Sequence, residues 1–477
     1  MKSDVCPKNC VFSRTFKIFL LGIIVVNRLV HGAPQEGVLS LEKAVADTFE
    51  KHPDILLSHE RLNESRAQKK RAYSEVFPKL SSSLSALSRQ DAVSSPSAQF
   101  GGDTYNVYSL AAELSQPIFT SGAISSGIEY YSQEIEVREI DLSLVKREMT
   151  QKVISAYFAL ALAQKQFETM KRLKGIQESL LRTAENRYRI GNEQSLTVQQ
   201  IKTNLLLLEP QVSSAENLIK VRASELASLT QNTDLERIEI FSSLQAPEWD
   251  ALTKELRKDS QKKLEILRNE VLTNVLASNQ KLRLSAHYPN VYLFGTWGRS
   301  GTEKADIFDS DSSAWSLGLK LSVPLFSGLS SVYDRRVLSS LVAQNRLQGA
   351  QIQNQNLLEK VKSEKEISNA MSLLVSSERA LKSALESVKT AERTYKLGTA
   401  TYLQVSDTQQ KYTNAELSYE QAQFDLIFKM TQVFVAHQWP LEKLVQALSQ
   451  SIREKAQTST VPNPRFPASQ VEYEGSE

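Results

Sequence analysis

Residues 313–326 read SAWSLGLKLSVPLF. Trp315, Leu317, Leu319, Leu321 and Val323 alternate with Ser316, Gly318, Lys320 and Ser322. A strict period of two sends the apolar side chains to one face of a β-strand and the polar or small ones to the other. The closing LSVPLF nearly repeats LSQPIF at 114–119, 207 positions earlier. There too Tyr108, Leu110, Ala112 and Leu114 alternate with Ser109, Ala111, Glu113 and Ser115. Weaker alternation runs through LSSSLSAL at 80–87 and VYLFGTWG at 291–298. Each segment is about 10 residues long, enough for a tilted strand to cross a bilayer. Polar connections, DAVSSPSAQFGGD at 91–103 and SGTEKADIFDSDS at 300–312, join them into two hairpins, 79–119 and 290–326.

The echo extends outward. YRIGNEQSLTV at 188–198 recurs as YKLGTATYLQV at 395–405, so Gly191 and Gly398 are again 207 apart. Upstream, Pro78 pairs with Pro289, and DIL at 54–56 with EIL at 265–267, at an offset of 211. The offset changes inside the hairpins, where loop length varies freely. This is a tandem duplication whose copies fold alike.

After Phe119 there is no proline until Pro210, and after Phe326 none until Pro440. In the second of these stretches Ile367, Met371, Leu374, Leu381, Leu385, Val388 and Tyr395 step at heptad spacing. The pattern predicts helices over about 125–189 and 331–396, each ~100 Å long at ~1.5 Å per residue. Gly191 and Gly398 end them, since glycine supplies the left-handed C-cap. A second helix then starts near Leu196 or Leu403, and shorter helices lead in over 41–75 and 252–283. The units are therefore a first repeat at 33–230, a link at 231–251, a second repeat at 252–436, a C-terminal segment at 437–455 and a Pro-rich, disordered tail at 456–477.

Residues 1–32 read as a signal peptide: Lys2, Lys8, Arg14 and Lys17, the apolar run IFLLGIIVV at 18–26, then small residues at Gly32 and Ala33. They carry five positive charges and one negative, so the formal +3 of the whole sequence becomes −1 for residues 33–477. Nothing in that balance calls for a nucleic-acid partner. Both cysteines, Cys6 and Cys10, lie in this leader, and neither follows the apolar run where a lipid-bearing cysteine would sit. An exported, cysteine-free chain fits the bacterial envelope.

Four strands cannot close a barrel, and an open edge in hydrocarbon leaves backbone groups unpaired at several kcal/mol each. Two chains would give eight strands and three would give twelve. The competing reading is an exported coiled-coil structural or surface-interaction protein with its hairpins as caps, although a coiled-coil rod has no need of four alternating segments.

The doubled order of helix, hairpin and long helical hairpin, from LSLEKAVADTFEKHPDIL at 39–56 to about Leu448, resembles the TolC family of outer-membrane efflux and secretion channels. The resemblance implies a membrane α+β fold: a trimeric 12-stranded transmembrane β-barrel, four strands per chain, continued by a long periplasmic α-helical barrel. It implies a homotrimer in the outer membrane that extends into the periplasm. Such a trimer acts as the passive channel-tunnel of a tripartite efflux or type I secretion system. Its partners would be a periplasmic adaptor (membrane fusion) protein, an inner-membrane transporter and outer-membrane lipid. The resemblance also carries site residues. The pore aperture maps to Gln404 and Asp407, where only the second family acid is kept, and to Tyr395; the family's basic residue two past the second glycine is replaced by Ala400. Adaptor docking maps to the tips at Ile190, Gly191 and Asn192 and at Leu397, Gly398 and Thr399. Trp315, Leu317, Leu319 and Leu321 are expected to face lipid.

The residues offer no chemistry beyond that. His31, His52, His59, His287 and His437 are scattered without metal-ligand spacing. No phosphate-binding glycine loop and no nucleophile elbow is present. No catalytic, cofactor-binding or metal residue is expected.

Overall fold

The computed structural model describes residues 39–90, 104–232, 246–256, 262–303, 305 and 313–458. The leader, most of both hairpin loops, link residues 233–245 and tail residues 459–477 lie outside them.

The elements run α1 (Leu41–Lys51), α2 (Pro53–Ser74), β1 (Lys79–Gln90), β2 (Thr104–Phe119), α3 (Ala123–Arg189), α4 (Ser195–Thr230), α5 (Trp249–Leu256), α6 (Leu264–Ser285), β3 (Asn290–Gly301), β4 (Ser313–Ser322), α7 (Ser330–Lys396), α8 (Tyr402–Ala436) and α9 (Leu441–Thr458). Each copy is thus short helix, hairpin, long helix, shorter helix.

The long helices set the dimensions. At 67 residues each, α3 and α7 rise ~100 Å. Two shorter helices line up end to end against each: α2 and α4 along α3, α6 and α8 along α7, with α3 also meeting α6 and α8. The break between the shorter partners is filled by the main core. There Val153, Ile154, Tyr157, Phe158 and Leu160 of α3 meet Leu426, Ile427, Met430 and Phe434 of α8, with Leu41, Trp249, Trp439 and Leu444 around them. The Arg147 guanidinium caps this layer, donating to the carbonyls of Phe434 (2.5 Å) and Trp439 (2.9 Å) where α8 runs out of its own donors.

The lead-in expected as one helix over 41–75 is two. Pro53 pushes His52 out of helical geometry, to φ −69° and ψ 129°, because the residue before a proline is sterically barred from it. Pro53 then takes the first turn of α2, where its missing N–H costs nothing. The second lead-in, expected over 252–283, is likewise two helices, α5 and α6. At the other end of the chain α9 continues to Thr458, past the expected start of the tail at 456.

The four strands form one antiparallel sheet in chain order β1-β2-β3-β4, leaving β1 and β4 as edges. The copies differ where their sequences agree best. β2 continues through Pro117 to Phe119 with a register irregularity there, whereas β4 stops at Ser322, so the second hairpin ends four residues short of the expected 326. An interior strand has β3 to pair with beyond its proline, and the irregularity accommodates the lost donor. β4 has a neighbour on one side only.

Phe158 is fully buried in the main core. Phe158→Ala is expected to cost about 3–5 kcal/mol through lost burial and the cavity left behind, read as a lower denaturant midpoint by circular dichroism of the detergent-extracted protein.

Candidate functional site

Two regions carry the candidate residues: the sheet, and the far ends of the two long helical hairpins. In the sheet, strand register decides which side chains share a face. Trp315 lies opposite Trp297, Leu317 opposite Gly295, Leu319 opposite Leu293 and Leu321 opposite Val291. The same rows continue to Ala112, Leu114 and Phe119 of β2 and to Leu80 of β1. One face is therefore mainly apolar, interrupted by Gln116 opposite Leu293 and Ser82 opposite Ala112; Trp315 is 78% exposed on it. At its loop end the Arg299 guanidinium lies over the Trp297 ring, 5.4 Å from the centroid. The opposite face carries Ser81, Glu113, Thr296, Ser316 and Lys320, and its hydroxyls pair across strands: Ser85 with Ser109 and Thr296 with Ser316, both at 2.6 Å. The β3 contribution to the apolar face was hidden in the sequence because Tyr292 and Phe294, on the polar face, blur its alternation.

At the far ends α3 and α7 close alike. Gly191 and Gly398 both take φ 78°, and the amides of Asn192 and Thr399 reach back to the carbonyls of Arg187 (2.8 Å) and Thr394 (3.0 Å). Each is a glycine-terminated cap whose final bond skips the last turn. Ile190 and Leu397 protrude at the very end, 71% and 78% exposed.

Tyr395 is buried behind the second tip in a small cluster with Ala184, Ile201, Tyr402 and Val405. Its hydroxyl donates to Glu193 Oε2 at 3.3 Å. The Arg187 guanidinium covers its ring at 4.7 Å and donates to its carbonyl at 3.3 Å. Burial, then the Glu193 carboxylate, hold the phenol above its ordinary value, so it remains a donor. Sequence reasoning noted the missing base at position 400 and overlooked that both partners of Tyr395 come from the first copy. One signal was available: Glu193 stands two residues past Gly191, the counterpart of Ala400 after Gly398.

The other two aperture candidates have local partners. Gln404 completes a capping box with Thr401 at the start of α8, which occupies its amide oxygen. Asp407 is exposed and accepts a bond from Lys411 Nζ, one turn on, at 2.7 Å.

Further up, the seam between α3 and α8 is polar. Gln177 donates to Gln409 at 3.2 Å, Tyr402 to Gln177 at 3.4 Å, and Arg172 pairs with Glu416. Glu420 is buried there; Thr169 donates to its Oε1 at 3.2 Å, and among the described residues its Oε2 has no hydrogen-bond partner. Burial, then repulsion from Glu416, raise its carboxyl to about 7, against the opposing pull of Thr169, Lys165 and Arg172.

Among the described residues no cluster of His, Cys, Asp or Glu could hold a metal ion, and no helix is long and apolar enough to cross a membrane. The latter says nothing of the sheet.

The profile of a family described as outer membrane efflux protein matches residues 45–231 and 266–427, both copies of the duplication. The chain belongs to the outer membrane efflux protein family. It is accordingly an efflux channel protein of the outer membrane that reaches into the periplasm, with the β-barrel and helical-tunnel fold of that family. No curated protein sequence matches it significantly. Solved structures do. The outer membrane protein VceC of Vibrio cholerae superposes with a TM-score of 0.70 at 18% identity, over 83% of this chain and 95% of that one. The CmeC outer membrane channel of Campylobacter jejuni gives 0.73 at 15%, over 86% and 89%. The open state of the Neisseria gonorrhoeae MtrE outer membrane channel gives 0.66 at 15%, over 86% and 93%.

The buried carboxyl of this efflux protein predicts a pH dependence. Below an unfolded value near 4.5 both states hold the Glu420 proton. Between there and about 7 only the folded state does, so stability falls as pH rises through that window. The loss is on the order of 3 kcal/mol. Melting temperatures at pH 5 and pH 8 should differ less in Glu420→Gln than in the parent protein.

Proposed function

We propose that three copies of this chain form the exit duct of a tripartite efflux system, passive in itself and joined through a periplasmic adaptor to an inner-membrane transporter. The observation that carries this reading is the four-stranded sheet, apolar on one face, polar on the other and open at both edges. In hydrocarbon the backbone groups of edge strands β1 and β4 must be paired. Pairing β1 of one copy with β4 of the next satisfies them all, and three copies make twelve strands around a lumen lined by the polar face.

The helices support the same arrangement. Leu56 and Leu57 of α2 and Val337, Leu341, Leu357, Leu358 and Val361 of α7 are exposed on a single chain, and neighbouring copies would cover them. The apolar sheet face, with Trp315, Leu317, Leu319 and Leu321, then meets lipid, and the Trp297–Arg299 stack lies at the membrane boundary.

At the periplasmic end the tips formed by Ile190, Gly191, Asn192, Leu397, Gly398 and Thr399 receive the adaptor. Tyr395, held by Glu193 and Arg187, ties the second hairpin to the first near the aperture, and Asp407 lies beside it. Gln404 shapes the start of α8.

Electron microscopy of the detergent-extracted protein tests the whole reading. A hollow threefold cylinder well over 100 Å long is expected; solid rods would hand the case to a structural coiled-coil protein. Leu319→Arg or Trp315→Arg should impair membrane assembly by roughly 2–4 kcal/mol per chain, and normal trimer yield would mean the strand faces are reversed. In planar bilayers, Tyr395→Phe combined with Glu193→Gln should raise single-channel conductance by freeing the second hairpin; unchanged conductance would remove the pair from the gate. Asp407→Asn leaves Lys411 unopposed and should move the reversal potential away from cation preference.

A further inference from the structure

Two apolar clusters hold the second helical hairpin against the first, and a polar level separates them. Towards the sheet is the main core, with Phe158 of α3 and Phe434 of α8; at the tips is the small cluster of Tyr395 and Tyr402. Between them α3 and α8 meet through Thr169, Arg172, Gln177, Gln409, Glu416 and Glu420. Thr169 and Glu416 also line a cavity of about 30 Å³ there, room for about one water.

The first hairpin is weakened at the same level. Lys174 of α3 pairs with Glu209 of α4 at 3.5 Å, and Glu416, the counterpart of Glu209 at the 207-residue offset, pairs with Arg172. Pro210 follows inside α4 and has no N–H for the carbonyl of Leu206, so the hydrogen-bond ladder is broken there. The second copy has Leu417 at that position.

Glu420, in turn, belongs to the second copy alone; its counterpart is Ser213. It is buried within a single chain, and its unpartnered Oε2 presents no surface that a neighbouring copy could reach. Around it stand Glu416 on α8 and Lys165, Thr169 and Arg172 on α3, with Tyr412 close to both acids. From α7, Glu378 and Lys382 pair with each other at 2.7 Å beside Tyr419. Arg172 is bound to Glu416 and Lys165 to Glu168. A charge on Glu420 thus faces Glu416 with no counter-ion of its own, in a place that water does not reach.

We propose that the seam between α3 and α8 is a proton-operated latch: the protonated Glu420 seats the tip half of the second hairpin on the first, and loss of that proton releases it, with α4 yielding at Pro210. The consequence that release widens the duct rests on the reading of the tips as its aperture. The seated carboxyl is raised to about 7, and hydration in a released seam returns it towards 4.5. Acid therefore holds the latch and alkali frees it, so the ratio of released to seated hairpin should rise on the order of 50-fold between pH 5 and pH 8.

Residues 33–477 contain no cysteine, so nitroxides introduced at Ser179→Cys on α3 and Gln410→Cys on α8 report on the seam alone. Pulsed electron spin resonance of the intact trimer in detergent, with labelled chains diluted among unlabelled ones, reads their separation. A second, longer separation should be nearly absent at the lower pH and appear at the higher. Glu420→Gln should keep the short separation at both, and Glu420→Leu serves if the Gln variant misassembles. Pro210→Leu should shrink the long population. No longer separation, or one that persists without the Glu420 carboxyl, overturns the latch; a long population undiminished in Pro210→Leu overturns the yielding of α4. In planar bilayers the conductance of the parent protein should rise with pH and that of Glu420→Gln should not. Lengthening without a rise in conductance overturns the coupling to the duct and leaves the latch, whereas the absence of channels at either pH removes the duct reading itself.

Discussion

A β-sheet edge in hydrocarbon has nothing to hydrogen-bond except another strand. Each chain contributes four strands, hydrogen-bonded to one another in chain order. The two outer edges are left, and a bilayer holds no water to satisfy them. Closure through copies of the same chain is the route that leaves no edge. It explains why a protein of 477 residues spreads along ~100 Å helices instead of folding around one compact core. Large apolar side chains of the sheet and of α7 stand exposed on the single chain.

Duplication makes that architecture economical. One unit of helix, hairpin and long helical hairpin is used twice, and the end-to-end stacking of α2 with α4 and of α6 with α8 gives each long helix a companion along nearly its whole length. Identity of sequence does not ensure identity of structure, however. LSQPIF ends in a paired strand and LSVPLF does not, because the first lies inside the sheet and the second at its edge. The tips diverge similarly: both close on glycine, yet only the second buries a tyrosine, and it does so with an acid and an arginine taken from the first.

The seam between α3 and α8 shows how the helical part differs from an ordinary core. Gln177, Gln409, Tyr402, Arg172, Glu416 and Glu420 meet there through hydrogen bonds and an ion pair, where a stable bundle would place leucines. Buried polar contacts specify one geometry strongly while adding little net stability. A carboxyl such as Glu420, with one oxygen unpartnered, makes that geometry responsive to protons.

Features that follow local rules are legible along the chain. Period-two alternation at Trp315–Leu321 marks a strand, heptad spacing through Tyr395 marks a long helix, and Gly191 and Gly398 mark its ends, because each follows from the geometry of a few consecutive residues. The split at Pro53 was legible in principle, since the residue before a proline leaves the helix, but the apolar pattern on both sides masked it. Contacts between residues far apart in the chain had no such local signature. Register joined Trp297 to Trp315 and made one apolar face of four strands, which no single strand specifies. The approach of α3 to α7 and α8 chose Glu193 and Arg187 as the partners of Tyr395, about 200 positions away in the chain, and turned Glu420 from a helix glutamate into a buried acid. A residue's periodicity is written in its neighbours along the chain, whereas its partner and its protonation are set by whatever the fold packs against it.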